Sequence, residues 1–132
     1  MDASDRDRRW ARARQRADAA RLCLDHGYAG ECVSLSYYGC FQAMWVAVGD
    51  PPAGLWRHGG LINEFCRGQW RSPPVAPQTM ADTRRQLDRL DLRRLRADYE
   101  ARLVTRVDGE GSAETLDRVL RLVADEMGLQ LE

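Results

Sequence analysis

Apolar residues recur along this chain at spacings of three and four, the period of a helix with one buried side. No segment alternates apolar and polar positions as a half-buried strand would. The pattern predicts five helices. The first runs from Ser4 to His26, with Trp10 near its start and Ala17, Ala20, Leu22 and Leu24 towards its end. Gly27 follows where a left-handed residue closes a helix, and His26 suits the negative end of the helix dipole. The second helix spans Ala29 to Val48 and is stopped by Pro51 and Pro52. Within it Tyr38, Phe41 and Trp45 are 3 and 4 residues apart, which predicts one shared and mostly buried face. The third, from Leu55 to Trp70, repeats Leu61, Ile62, Phe65 and Cys66. The fourth begins at Pro77 or Gln78 and runs to Leu103, with Leu92, Leu95, Tyr99 and Leu103 as its stripe. "VDGEGS" (107–112) reads as a turn, and Ser112 as the cap of a fifth helix carrying Leu116, Val119, Leu120, Val123 and Met127.

Short, turn-rich connections between such helices favour a compact all-α antiparallel bundle of four to five helices. A length of 132 residues fits one domain, with its core over about 10–128 and the second helix at its centre. Composition agrees: 44% hydrophobic and 30% charged residues describe a globular chain. Formal net charge is zero, so bulk charge does not point to nucleic acid. The charge is uneven, however. All 20 basic residues are Arg; residues 82–102 hold seven Arg and five acids, whereas residues 103–132 hold three Arg and seven acids.

The uncharged run Cys32–Gly49 is 18 residues long, near the lower edge of a membrane span, but Ser34, Ser36, Gly39, Gln42 and two tyrosines mark it as a buried core helix. The four cysteines form no C-x-x-C pair, so zinc is not expected and reduced thiols in a cytoplasmic protein are. No glycine-rich phosphate loop, H-E-x-x-H or G-x-S-x-G is present, and no cofactor is expected.

Three segments taken in order carry a resemblance. "ADAARLCLDHGYAGECVSLSYYGCFQAMWVAVG" looks like the first two helices of the HEPN family, small prokaryotic helical domains that often accompany nucleotidyltransferases. "RHGGLINEFCRGQW" is similar to the family's His-x-Gly-Leu-Ile stretch, and "LDRLDLRRLRADYE" to its closing Leu-x-x-Leu…Arg…Ala-Asp-Tyr signature. The resemblance covers about residues 17–128 and implies a helical bundle that pairs as a homodimer. Active members are metal-independent ribonucleases that use an Arg and a His four to six residues apart. The closest counterpart here is Arg94-Leu95-Arg96-Ala97-Asp98-Tyr99, with Tyr99 at the histidine position. Tyrosine, with an ordinary pKa of about 10, is a poor base at neutral pH. Leu35 and Gln42 stand where many relatives carry an Arg and a His.

On one ideal helix Arg94 and Tyr99 point about 140° apart, so they meet only if two chains supply them, whereas Arg94 and Asp98 share a face. His58 opens the third helix beside Arg57, where an anion would meet free backbone N–H groups. The leading expectation is therefore a dimeric component of a toxin–antitoxin or defence system with a degenerate ribonuclease motif, partnered by a nucleotidyltransferase. The alternative is an RNA endonuclease with a substituted site of Arg94, Asp98, Tyr99 and His58, and with Arg93, Arg96 and Arg57 holding RNA. A third reading is a non-catalytic assembly module. None of these requires a metal or a membrane.

Overall fold

The computed structural model describes residues 1–100 and 103–132. Five helices follow in order: α1 (Ala3–Asp25), α2 (Ala29–Val48), α3 (His58–Cys66), α4 (Pro77–Tyr99) and α5 (Arg106–Met127); no strand occurs among the described residues. The all-α bundle is as the periodicity predicts. None of these helices is long and apolar enough to cross a membrane.

Side-chain contacts give the directions. Arg16 meets Tyr38 while Arg9 meets Trp45, so α1 and α2 run antiparallel. Ser34 meets Asp98 while Tyr37 meets Arg94, so α2 and α4 do too. Arg93 reaches Gly111 while Arg118 reaches Thr83, which sets α4 against α5. The four long helices thus form an up-down-up-down bundle, and short α3 bridges α2 and α4.

The second helix is the centre, packed against each of the other four. It also meets α5 across the bundle, running parallel to it: Cys32 donates to the Gly109 carbonyl, and Gly39 faces Leu116. That diagonal contact needs small residues. A Cβ on Gly39 would lie 2.7 Å from a Leu116 methyl, and one on Gly109 would lie 3.5 Å from Ala29 of α2 and 2.8 Å from Leu24 of α1. Phe65, Leu61, Met44, Leu90 and Leu116 fill the core with less than 2% of their surface exposed. Each of the four tryptophans donates its indole N–H: Trp10 to the Gln130 carbonyl, Trp45 to Asp50, Trp56 to the Gly49 carbonyl and Trp70 to the Phe65 carbonyl. Trp10 and Trp45 are buried and Trp56 and Trp70 half-buried, and none of the four leaves its donor stranded. All four cysteines are free thiols, with Cys32 and Cys40 buried.

The differences from the sequence reading lie at helix ends and on α4. The third helix is nine residues, shorter than Leu55–Trp70. The segment 107–112 is not a turn but the first turns of α5. Thr105 caps that helix through a reciprocal pair with Asp108, while the Ser112 hydroxyl donates to the Asp108 carbonyl inside it. The Thr105 backbone N–H holds the Asp108 carboxyl below its ordinary range. The fourth helix ends at Tyr99; residues 101 and 102, which the reading placed inside it, lie outside the described residues, and Leu103 is not helical. Its buried side is Met80, Thr83, Leu87, Leu90 and Arg94, whereas Leu92, Leu95, Tyr99 and Leu103 are exposed. On α2, Trp45 is buried as expected and Phe41 is half-buried, but Tyr38 is exposed and its neighbour Tyr37 is the buried tyrosine.

The close α2–α5 approach makes a prediction about two glycines. Gly39→Val must push Leu116 aside and should destabilise by about 1–3 kcal/mol. Gly59→Ala, where nothing lies within 4 Å of the new Cβ, should be neutral or stabilise by up to about 1 kcal/mol. Urea unfolding of both variants checks the pair; a Gly39→Val protein as stable as the parent would contradict the packing.

Candidate functional site

Three of the seven sequence candidates, Arg94, Asp98 and His58, converge where α2, α3 and α4 meet. Arg94 reaches inward from α4 and its guanidinium lies 4.4 Å from the centre of the Tyr37 ring. Only 9% of its surface is exposed. Two carboxylates of its own helix hold it. Nη2 donates to Asp91 at 3.1 Å, and Nη1 lies 3.7 Å from Asp98. Asp98 also accepts from the Ser34 hydroxyl of α2 at 2.6 Å. Burial works against the Arg94 charge, but the hydrogen bond to Asp91 and the neighbouring Tyr37 outweigh it, and the group is held more firmly protonated than usual.

His58 stands at the first turn of α3 and enters the same cluster. Its ring packs on Phe41, Tyr37 and Tyr38 at centroid distances of 4.8, 5.2 and 6.1 Å. Tyr37 thus touches both Arg94 and His58. Its phenol is pushed up to about 12, by burial first and then by the Asp91 charge. Its hydroxyl has no hydrogen-bond partner among the described residues, so the ring, rather than the hydroxyl, makes the contact. His58 is held below its ordinary range by burial and then by the Arg94 cation, against the pull of Asp91.

One chain therefore brings Arg94, Asp98 and His58 together without a second copy. Tyr99 does not join them: it is 76% exposed. Nor do the three arginines proposed to hold RNA. Arg93 and Arg96 line a hollow with Val104, Thr105 and Asp108 at the start of α5, and exposed Arg57 precedes α3. Ser34, Tyr37 and Asp91 complete the cluster. Asp91 had a visible signal, an acid three residues before an Arg on one helix. Nothing in the sequence pairs Ser34 with Asp98, because that contact depends on how two distant helices dock.

Chemically the cluster is poorly suited to a phosphate. Arg94 faces two carboxylates, so the group carries a net negative charge, and an incoming anion would have to displace one of them. His58 is neutral near pH 7 and wedged among rings. Among the described residues no group of three His, Cys, Asp or Glu is placed to hold a metal ion. The chain matches no protein-family model, and no curated protein is detectably similar to it.

The coupling between His58 and Arg94 is open to measurement. A depressed folded value means that the stability linked to neutral His58 is present above about pH 6.5 and is lost as pH falls through the folded value. In an NMR titration His58 should titrate below about 6.5, and in Arg94→Gln its midpoint should rise, because Asp91 then acts unopposed. An unchanged midpoint would show that the two groups do not interact.

Proposed function

We propose that this chain is a non-catalytic, HEPN-like helical module that works by association. In this reading it pairs with a second copy and serves a partner, of nucleotidyltransferase type, in a prokaryotic toxin–antitoxin or defence system. One observation carries the reading, the way α4 divides its residues between its two sides. A ribonuclease of this kind must offer its Arg to a phosphate; α4 instead buries Arg94 with Asp91 and Asp98 on it. An interaction helix must offer apolar surface; α4 turns Leu92, Leu95 and Tyr99 outward, 49%, 41% and 76% exposed. Positions 92, 95 and 99 fall within about 60° of one another around the helix, opposite Thr83, Leu90 and Arg94. A contiguous apolar strip on a charged helix is a feature of contact surfaces. A homodimer across it would use the same face twice, as two-fold pairs do.

The catalytic alternative of Arg94, Asp98, Tyr99 and His58 gains less support, since Tyr99 lies apart and the carboxylates claim Arg94. Two assays separate the readings. Purified protein incubated with cellular RNA and EDTA should leave the RNA intact; cleavage that disappears in Arg94→Ala or His58→Ala would defeat the non-catalytic reading. In sedimentation, wild type should run as a dimer and Leu92→Glu/Leu95→Glu as a folded monomer. An unchanged mass for that variant would remove the α4 face from the account.

A further inference from the structure

The first helix carries a feature that the association reading does not use. Residues 6–16, "RDRRWARARQR", hold six Arg and one Asp in a chain whose formal charge is zero. Two α1 arginines are neutralised, Arg8 by Asp5 and Arg21 by Asp117. Arg9, Arg12 and Arg16 have no carboxylate in salt-bridge contact among the described residues. They sit three and four residues apart, so they line one side of the helix with Cα separations along its axis of about 4.5 and 6 Å.

That side lies along the seam with α2, and α2 presents aromatic rings and an amide there. The Arg16 guanidinium lies 5.9 Å from the Tyr38 ring centre. Arg9 lies 3.8 Å from the Trp45 ring centre and donates to Gln42 Oε1 at 3.0 Å. Arg9, Arg12 and Gln42 share the wall of a shallow pocket of about 270 Å³. Tyr38, Gln42 and Trp45 are one α2 face, so the seam runs as a continuous strip from Trp45 to Tyr38. Trp45 is buried, whereas Tyr38 is 36% exposed. Asp5 and Asp50 line the same pocket, and their charges act on Arg9. Asp5 is already held by Arg8, and Asp50 accepts from the Trp45 indole at 2.9 Å.

We propose that this α1–α2 seam binds single-stranded nucleic acid, with Arg9, Arg12 and Arg16 on successive phosphates and a base against Tyr38. Arginines free of acids meet the backbone charge, and an aromatic ring beside them meets a base whatever its identity. A membrane surface fits less well, because the stretch of α1 that carries these arginines shows solvent Asp7, Arg8, Gln15 and Asp18, with no large apolar side chain to insert. An acidic peptide would use the arginines but leave Tyr38 without a role. The site is separate from the outward face of α4, so it stands or falls independently of the association reading.

Fluorescence anisotropy with a labelled 12-nucleotide single-stranded RNA, its DNA counterpart, inorganic polyphosphate, a polyglutamate peptide and anionic phospholipid vesicles provides the test. RNA or DNA should bind, with log Kobs falling against log salt at a slope of about −2 for three phosphates. Arg12→Gln/Arg16→Gln, which keeps long side-chain stems, should weaken binding by at least about tenfold and flatten the slope. Tyr38→Ala should weaken it by about tenfold and Tyr38→Phe should restore it. Circular dichroism confirms that each variant is folded. Binding that survives Arg12→Gln/Arg16→Gln overturns the proposal. So does polyphosphate binding as tightly as the oligonucleotides with Tyr38→Ala silent, and so do vesicles or an acidic peptide binding in preference to both.

Discussion

A helix packed on one side cannot bury both of two residues that lie about 160° apart around it, and in α4 the buried one is Arg94, set against Tyr37. Leu92 and Arg94 are two residues apart, so one of them must face outward. The Arg94 guanidinium carbon lies 4.4 Å from the centre of the Tyr37 ring, close enough for its charge to meet the negative face of the ring. Asp91 and Asp98 supply the charge that burial would otherwise leave unmet, and the Ser34 hydroxyl ties Asp98 back to α2. With the cation satisfied inside, the leucines are the residues left over. The rotation of α4, the neutralisation of its Arg and the outward apolar strip are one event seen from three sides.

The same docking explains His58. The short α3 places its first residue where Tyr37, Tyr38 and Phe41 converge, and Arg94 stands behind Tyr37. A histidine packed among rings and next to a cation is held neutral, which makes it a packing residue that reports on the cation. On the far side of α2 the close approach to α5 through Gly39 sets how α1 lies, since the Arg16 Cβ is only 3.3 Å from where a Gly39 Cβ would be. The position of the basic side of α1 against Tyr38 and Trp45 thus follows from a glycine in the centre of the bundle.

Much of this was legible in the sequence. The bounds of α2 follow from an uncharged run ended by Gly49 and two prolines, and its central place follows from having no polar side to show. The end of α1 follows from Gly27, which does take a positive φ of 82°. The start of α5 was misplaced because "DGEG" has turn composition, while the stronger signal, Thr105 with Asp108 three residues on, lay just upstream. The buried side of α4 was misplaced for a different reason. Two stripes with helical spacing compete there, and the one with Leu92, Leu95 and Tyr99 faces out because the other holds a cation that Asp91 and Asp98 of the same helix and the Tyr37 ring of α2 satisfy. Single-helix periodicity contains no information about Tyr37 or Ser34 on another helix. For the candidate site, Arg94, Asp98 and His58 were named from sequence and do come together, whereas Tyr99, Arg93, Arg96 and Arg57 do not join them.

Arg94 is thus a structural cation whose partner across the α2–α4 contact is the Tyr37 ring. A double-mutant cycle tests it most directly: Arg94→Met, Tyr37→Leu and the double variant, each unfolded in urea at low protein concentration. A coupling of about 1–2 kcal/mol is expected, with the second substitution costing much less once the first has been made. A coupling near zero, with the two single costs simply adding, would contradict it.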